Sequence, residues 1–145
     1  MVSKEKIIEA FRRNGFRATL QRTAIAQIVL NRKDHPTAEQ VFNIVRRGYP
    51  LISLSTVYNT LNTLRNVNMV RELAFNDDAT RFDPNMQVHF NLVCDRCGSI
   101  SDFEDRNIKE FIDKAGQKAR FHVTGMRFDL YGICDKCMDD LKDKQ

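Results

Sequence analysis

The four cysteines of the chain form two Cys-x-x-Cys pairs, Cys94/Cys97 and Cys134/Cys137. Tetrahedral zinc with four thiolates wants this spacing, because each pair turns two sulfurs toward one ion. The 36 residues between the pairs exceed a compact zinc ribbon, so the ion would join two distant segments as a structural staple. A four-thiolate site is closed and leaves no position for a substrate, which argues against hydrolytic zinc chemistry. The alternatives are a thioredoxin-like redox pair, whose usual βαβ setting is absent, and disulfides, which a cytoplasmic compartment disfavours.

A second set of residues, His35, Asp83, His89, Asn91 and Asp102, mixes imidazole with oxygen donors. Such a mixture suits Fe(II) or Mn(II), held more loosely than zinc among thiolates. His89 and Asn91, at i and i+2 of a strand, point to one side. Each residue also has an ordinary reading. His35 stands in a loop before a proline, Asp83 closes a turn with Pro84, and Asp102 is a surface charge.

The elements that must position these residues follow from the pattern. Ile7, Ile8 and Phe11 recur at helical spacing, and Gly15 follows as a stop. A second helix runs from Thr19 through Ile25, Ile28 and Val29, and ends in "NRKDHP", since Pro36 disfavours helical geometry at His35. Thr37-x-x-Gln40 fits a capping box that opens a third helix with Val41, Phe42 and Val45 as its buried stripe. The stretch "SLSTVYNTLNTLRNVNMV" predicts a fourth helix with Val57, Leu61 and Leu64 on one face. Its other face carries Ser55, Thr56, Tyr58, Asn59, Asn62 and Arg65, groups suited to phosphates and base edges. "MVRELAF", a turn at "NDDAT" and "RFD" then read as a hairpin.

Helices followed by a two-stranded wing make a winged helix-turn-helix, with the fourth helix placed to enter the major groove. Past Pro84 the sequence alternates as a strand, with Val88, Phe90 and Leu92 on one face and His89, Asn91 and Val93 on the other. "GSISDFED" is a partner strand, "RNIKEFIDKAG" a helix, "RFHVTGMRFDLYGI" a strand, and a short helix ends the chain. The predicted class is α+β: an N-terminal winged helix-turn-helix domain over 1–83 and a small C-terminal α/β domain over 84–145. The second is small enough to need a staple, by metal or by dimerisation. His122 falls on the predicted strand, where an ordinary hydrogen-bonded side chain is the favoured reading over a metal ligand and no role is assigned.

The net charge of +4 conceals a split. Residues 1–82 carry 13 Lys+Arg against 7 Asp+Glu, whereas 83–145 carry 10 against 12, which is +6 and then −2. A basic first half suits a polyanionic partner. No apolar run reaches the roughly 18 to 20 residues of a membrane span, and the N-terminus lacks the apolar core of a signal peptide, so a cytoplasmic protein is expected. No catalytic triad, phosphate-binding glycine loop or His-Glu-x-x-His helix is present, so an enzyme is not expected.

Several collinear motifs together resemble the ferric uptake regulator family, and its peroxide-responsive repressor branch in particular. They are "GFRATLQR", "HPTAEQVF", "SLSTVYNTL", "CDRCG" and "YGICDKC". The resemblance implies a homodimer that binds palindromic double-stranded operator DNA and represses transcription. It places structural Zn(II) at Cys94, Cys97, Cys134 and Cys137, and regulatory Fe(II) or Mn(II) at His35, Asp83, His89, position 91 and Asp102. It further implies peroxide sensing by Fe(II)-catalysed oxidation of a ligand histidine, His35 or His89, with loss of that bond uncoupling the two domains. Tyr58 and Asn59 would read bases, while Ser55, Thr56, Arg65, Arg17 and Arg22 would contact phosphates or base edges.

Asp102 and Asn59 resemble the peroxide branch, where iron regulators tend to carry glutamate and arginine. Val88, Phe90 and Met126 stand where iron regulators often carry ligands of another site. Position 91 departs from the pattern, since peroxide sensors often read His-x-His where this chain reads His89-x-Asn91. The amide oxygen either binds as a weaker donor or leaves a coordination position for water or peroxide. An iron- or manganese-uptake regulator of the same family, without oxidative sensing, is the competing reading.

Overall fold

The computed structural model describes residues 1–75 and 79–142. It divides into two compact units, Met1–Met86 and Gln87–Gln145. No helix among the described residues is long and apolar enough to cross a membrane.

The first unit holds α1 (Lys4–Arg13), α2 (Leu20–Leu30), α3 (Ala38–Val45), α4 (Leu54–Asn66), β1 (Arg71–Leu73) and β2 (Arg81–Asp83). A hydroxyl side chain caps every helix start: Ser3, Thr19, Thr37 and Ser53 each accept a backbone N–H from the first turn. At α3 both halves of the capping box form, Thr37 Oγ1 accepting from Gln40 N at 3.2 Å and Gln40 Oε1 from Thr37 N at 2.9 Å. Ile7, Phe11, Ile25, Val29, Val41, Val57, Leu61 and Leu64 are fully buried in one cluster. Each such apolar side chain contributes roughly 1.5–3 kcal/mol. Phe42 is only half-buried and lies under the Arg46 guanidinium, 5.6 Å from its ring centroid.

The wing is an antiparallel pair in which Arg71 faces Asp83 and Leu73 faces Arg81. The predicted turn at 76–80 falls partly on residues 76–78, outside the described residues. The segment before α3 is tied to this wing, since Phe82 N donates to Pro36 O at 3.0 Å and Thr37 bridges to Arg81. As a result His35 takes a left-handed conformation, φ +48°, which is uncommon for a side-chain-bearing residue and persists only where its surroundings fix it.

The second unit contains β3 (Phe90–Cys94), β4 (Ile100–Phe103), α5 (Asn107–Ala119), β5 (Phe128–Gly132) and α6 (Asp135–Lys142). Strand order is β4-β3-β5, with β3 antiparallel to β4 and parallel to β5. Three expectations are corrected here. The strand expected over "RFHVTGMRFDLYGI" shortens to Phe128–Gly132, because among the described residues it pairs only with the five residues of β3. His122 therefore lies outside the strand and is exposed. The helix expected over "RNIKEFIDKAG" runs on past Gly116 to Ala119, and at Gly116 a Cβ would stand 3.0 Å from the Phe121 carbonyl oxygen. The turn that stops α5 comes at Arg120, with φ +49°.

Candidate metal centres and nucleic-acid face

The second unit gathers the cysteines. Cys94 ends β3, Cys97 follows in the turn, Cys134 precedes α6 and Cys137 lies in its first turn. One sulfur from each lies within 4.8 Å of the others. Cys97 Sγ and Cys134 Sγ are 3.7 Å apart, the separation expected around a tetrahedral ion with Zn–S bonds of about 2.3 Å. The Cys134 N–H donates to Cys94 Sγ at 3.3 Å. That bond, with the Cys97 N–H, lowers the Cys94 thiol to about 6. The Ser99 side chain, 3.2 Å from Cys97 Sγ, lowers that thiol too. Burial, then the neighbouring thiols, pushes Cys137 up to about 12. Thiolates this close repel one another, and a divalent cation among them removes the conflict. The donor set fits zinc.

Each unit also holds a histidine facing a carboxylate. In the first, His35 Nε2 lies 3.5 Å from Asp83 Oδ1, and both side chains are 1% exposed. Asp83 Oδ1 also accepts the Asn85 N–H at 2.7 Å, so the carboxylate does close the turn around Pro84 as well. Arg81 donates to the His35 carbonyl at 3.5 Å. In the second unit, His89 Nε2 lies 3.7 Å from Asp102 Oδ1. His89 Nδ1 is 3.0 Å from the Gln87 carbonyl. A carbonyl only accepts, so Nδ1 carries the proton in the neutral ring and Nε2 presents its lone pair on the Asp102 side. This is the tautomer a metal-binding imidazole needs.

Asn91 pairs directly with Asp102 across β3 and β4, so the two side chains share a face with His89. The alternation expected of β3 holds only from His89 to Leu92, and there the polar residues are the more buried. His89 and Asn91 are 6% and 3% exposed, while Phe90, Leu92 and Val93 are half-buried. Phe90 packs on Phe103 and Phe128, with centroids 6.2 and 5.2 Å away. Burying that amide and imidazole in preference to apolar neighbours requires partners for their polar atoms, and a cation supplies one. Imidazole and oxygen donors together fit a divalent ion of borderline to hard character.

On the first unit, α4 presents Ser55, Tyr58, Asn59, Asn62 and Arg65 as exposed residues, with Thr56 half-buried. Thr60 and Thr63, on its buried side, bond back to the carbonyls of Thr56 and Asn59, each at 2.8 Å. Two contacts that the sequence does not signal anchor the face. The Tyr58 hydroxyl donates to Glu39 Oε1 at 2.8 Å, and Arg65 Nη1 donates to Glu72 Oε2 on β1 at 2.9 Å. Arg17 is exposed, while Arg22 is half-buried and donates to the Arg17 carbonyl at 3.2 Å.

Known proteins resemble this chain in sequence and fold over most of its length. The ferric uptake regulator family profile matches residues 13–131. The peroxide-responsive repressor PerR of Staphylococcus aureus is 35% identical over 135 residues, covering 93% of this chain and 91% of its own. The Campylobacter jejuni peroxide stress regulator superposes with a TM-score of 0.75 at 30% identity, over 90% of this chain and 98% of its own. The Helicobacter pylori ferric uptake regulator Fur, whose structure reveals three functional metal-binding sites, shares the fold at a TM-score of 0.80 and 22% identity, over 94% and 95%. With a winged helical unit, a cysteine-stapled α/β unit and a family match across most of its length, the chain belongs to the ferric uptake regulator family.

Proposed function

We propose that the protein is a metal-dependent transcriptional repressor that binds palindromic operator DNA as a homodimer and senses hydrogen peroxide. The observation that carries this reading is a repeated one: a buried histidine faces a carboxylate once in each unit. Residues 1–83 act as the DNA-binding domain and 84–145 as the dimerisation and metal-binding domain. Cys94, Cys97, Cys134 and Cys137 hold structural Zn(II), and His35, Asp83, His89, Asn91 and Asp102 serve one regulatory Fe(II) or Mn(II). Relatives named for peroxide response support the sensing role. Phe103, Leu130, Tyr131 and Ile133, all exposed in the single chain, support a self-associating second unit. Operator contact falls to Tyr58 and Asn59 at base edges, and to Ser55, Thr56, Arg65, Arg17 and Arg22 at phosphates or edges.

A bound Fe(II) would supply the one-electron redox chemistry that lets hydrogen peroxide react with a ligand and would be regenerated over the reaction, whereas Mn(II) would not. Net, a ring C–H of His35 or His89 would become C–OH as hydrogen peroxide is reduced to water by the two electrons the imidazole gives up, and the modified ring would be a poorer ligand. His35 belongs to the DNA-binding half, so its loss uncouples that half from the metal. A coupling of roughly 1–3 kcal/mol between metal and DNA would change operator affinity about 5- to 150-fold.

The test is peptide mass analysis of zinc-filled protein loaded with Fe(II) and given a small dose of peroxide, against a Mn(II)-loaded control. One added oxygen on His35 or His89 in the iron sample alone is expected. Absence of histidine oxidation, with iron confirmed bound, favours a second reading, a regulator that answers to metal concentration. Asn91, where peroxide sensors often carry histidine, is the observation that keeps that reading in view.

A further inference from the structure

Asn91 stands at the middle of a row. On β4 it pairs with Asp102, and on β5 with Asp129. Directly paired residues project to the same face, so the amide lies between two carboxylates, with His89 two residues upstream. Asn91 Nδ2 donates to Asp129 Oδ1 at 2.9 Å and lies 3.5 Å from the Phe128 carbonyl. Both neighbours only accept, so the side of the amide facing them must be nitrogen. Asp129 is itself held in place: Arg127 Nε lies 2.8 Å from its Oδ2, and the Tyr131 hydroxyl donates to it at 3.4 Å.

The orientation leaves Asn91 Oδ1 on the opposite side, buried, with no hydrogen-bond partner among the described residues. An amide oxygen buried in that position is unfavourable unless something occupies it. The asparagine is thus held in a conformation that its own hydrogen bonding satisfies only by half.

We propose that Asp129 is a positioning residue that turns the Asn91 amide so that its oxygen is offered to the regulatory ion, giving the site an added oxygen donor. The inference rests on the regulatory-site reading above. Without Asp129 the amide can rotate and present its N–H groups to the cation, which repel it. The same carboxylate could orient an imidazole, accepting from one ring nitrogen while the other binds metal. Asn91→His should therefore strengthen binding of Co(II) more than of Mn(II), because imidazole nitrogen suits the former better.

The experiment uses the full chain with its cysteine site filled with zinc. Co(II) is titrated and followed by visible d–d absorption, and Mn(II) by the magnetic resonance of the unbound ion. Asn91→Ala and Asp129→Ala are each expected to weaken Co(II) binding about tenfold, the lower end for loss of an orienting partner, and to alter the absorption envelope. The double variant is expected to bind no more weakly than Asn91→Ala, since Asp129 acts only through the amide. Parental affinity in Asn91→Ala, or losses that multiply in the double variant, would overturn the proposal. If Asp129→Ala does not fold, the near-isosteric Asp129→Leu replaces it with the same expectations. His89→Ala separates the two levels of inference. Parental binding in that variant sinks the regulatory-site reading itself, whereas lost binding there with parental binding in Asn91→Ala sinks only the role of Asn91 and Asp129.

Discussion

Replacing Cys97 with serine removes one thiolate from the quartet while leaving the packing intact, because Cys97 is exposed. The consequence follows from how little else holds the second unit together. Its buried aliphatic side chains among the described residues are Ile100 and Ile108, each 6% exposed. At roughly 1.5–3 kcal/mol apiece they contribute about 3–6 kcal/mol. An ion joining the two cysteine pairs closes a loop with 36 residues between them, which in chain-entropy terms is worth about 4 kcal/mol. The tether is therefore as large as the aliphatic core it supplements. In Cys97→Ser, with zinc loss verified, amide hydrogen exchange read by mass spectrometry should show protection of Phe90–Cys94 and Phe128–Gly132 falling by roughly a thousandfold. Helices α1 to α4, which have their own core, should keep theirs. Unchanged protection of those strands in zinc-free protein would refute the reasoning, since it would mean that the sheet stands without its staple.

Other perturbations probe the first unit. Thr37→Ala removes the hydroxyl half of the capping box and should lower stability by about 1 kcal/mol, read as a shift of the denaturant midpoint at constant slope. The Tyr58 hydroxyl holds the Glu39 carboxyl below its ordinary range. A depressed folded-state value stabilises above the unfolded one and is lost as pH falls through the folded one, so Tyr58→Phe should weaken that acid-side contribution. Carbon-detected titration of Glu39 should show its midpoint moving up toward 4.5 in Tyr58→Phe, and an unmoved midpoint rejects the hydrogen bond as the cause. Arg65→Gln should reduce the slope of log affinity against log salt by about one for any DNA sequence if the residue contacts a phosphate. An unchanged slope assigns Arg65 to its pair with Glu72 alone.

What the sequence made legible was chiefly local. Thr19, Thr37 and the hydroxyls ahead of α4 announce their helices because a cap is satisfied within one turn. The stripe of Val57, Leu61 and Leu64 follows from helical period, and all three are fully buried. The four cysteines could be assigned to one cluster because their chemistry outweighs their separation. What stayed hidden depends on chain segments meeting at long range. Glu39 has no signature marking it as the partner of Tyr58, nor does Asp129 as the partner of Asn91. The left-handed His35 arises from pairing with the wing, although Pro36 did warn that the helix could not continue. The extension of α5 beyond Gly116 was not legible either, because the glycine's place inside the helix depends on the close approach of the Phe121 carbonyl.

The tie between the pre-α3 segment and the wing also bears on the order of events in folding. Arg81 and the His35 carbonyl are separated by 46 residues, so the pairing of His35 with Asp83 cannot form until the intervening helices have condensed and their loop entropy has been offset. Contacts made after the rate-limiting barrier alter the escape rate from the native state and leave the rate of arrival unchanged. An ion bound there should accordingly lengthen the lifetime of the folded winged unit while refolding proceeds at the metal-free rate. Stopped-flow refolding and unfolding with and without Mn(II) would measure both limbs, and an accelerated refolding limb would mean that the histidine and aspartate meet early, with the metal serving as a nucleus for the fold.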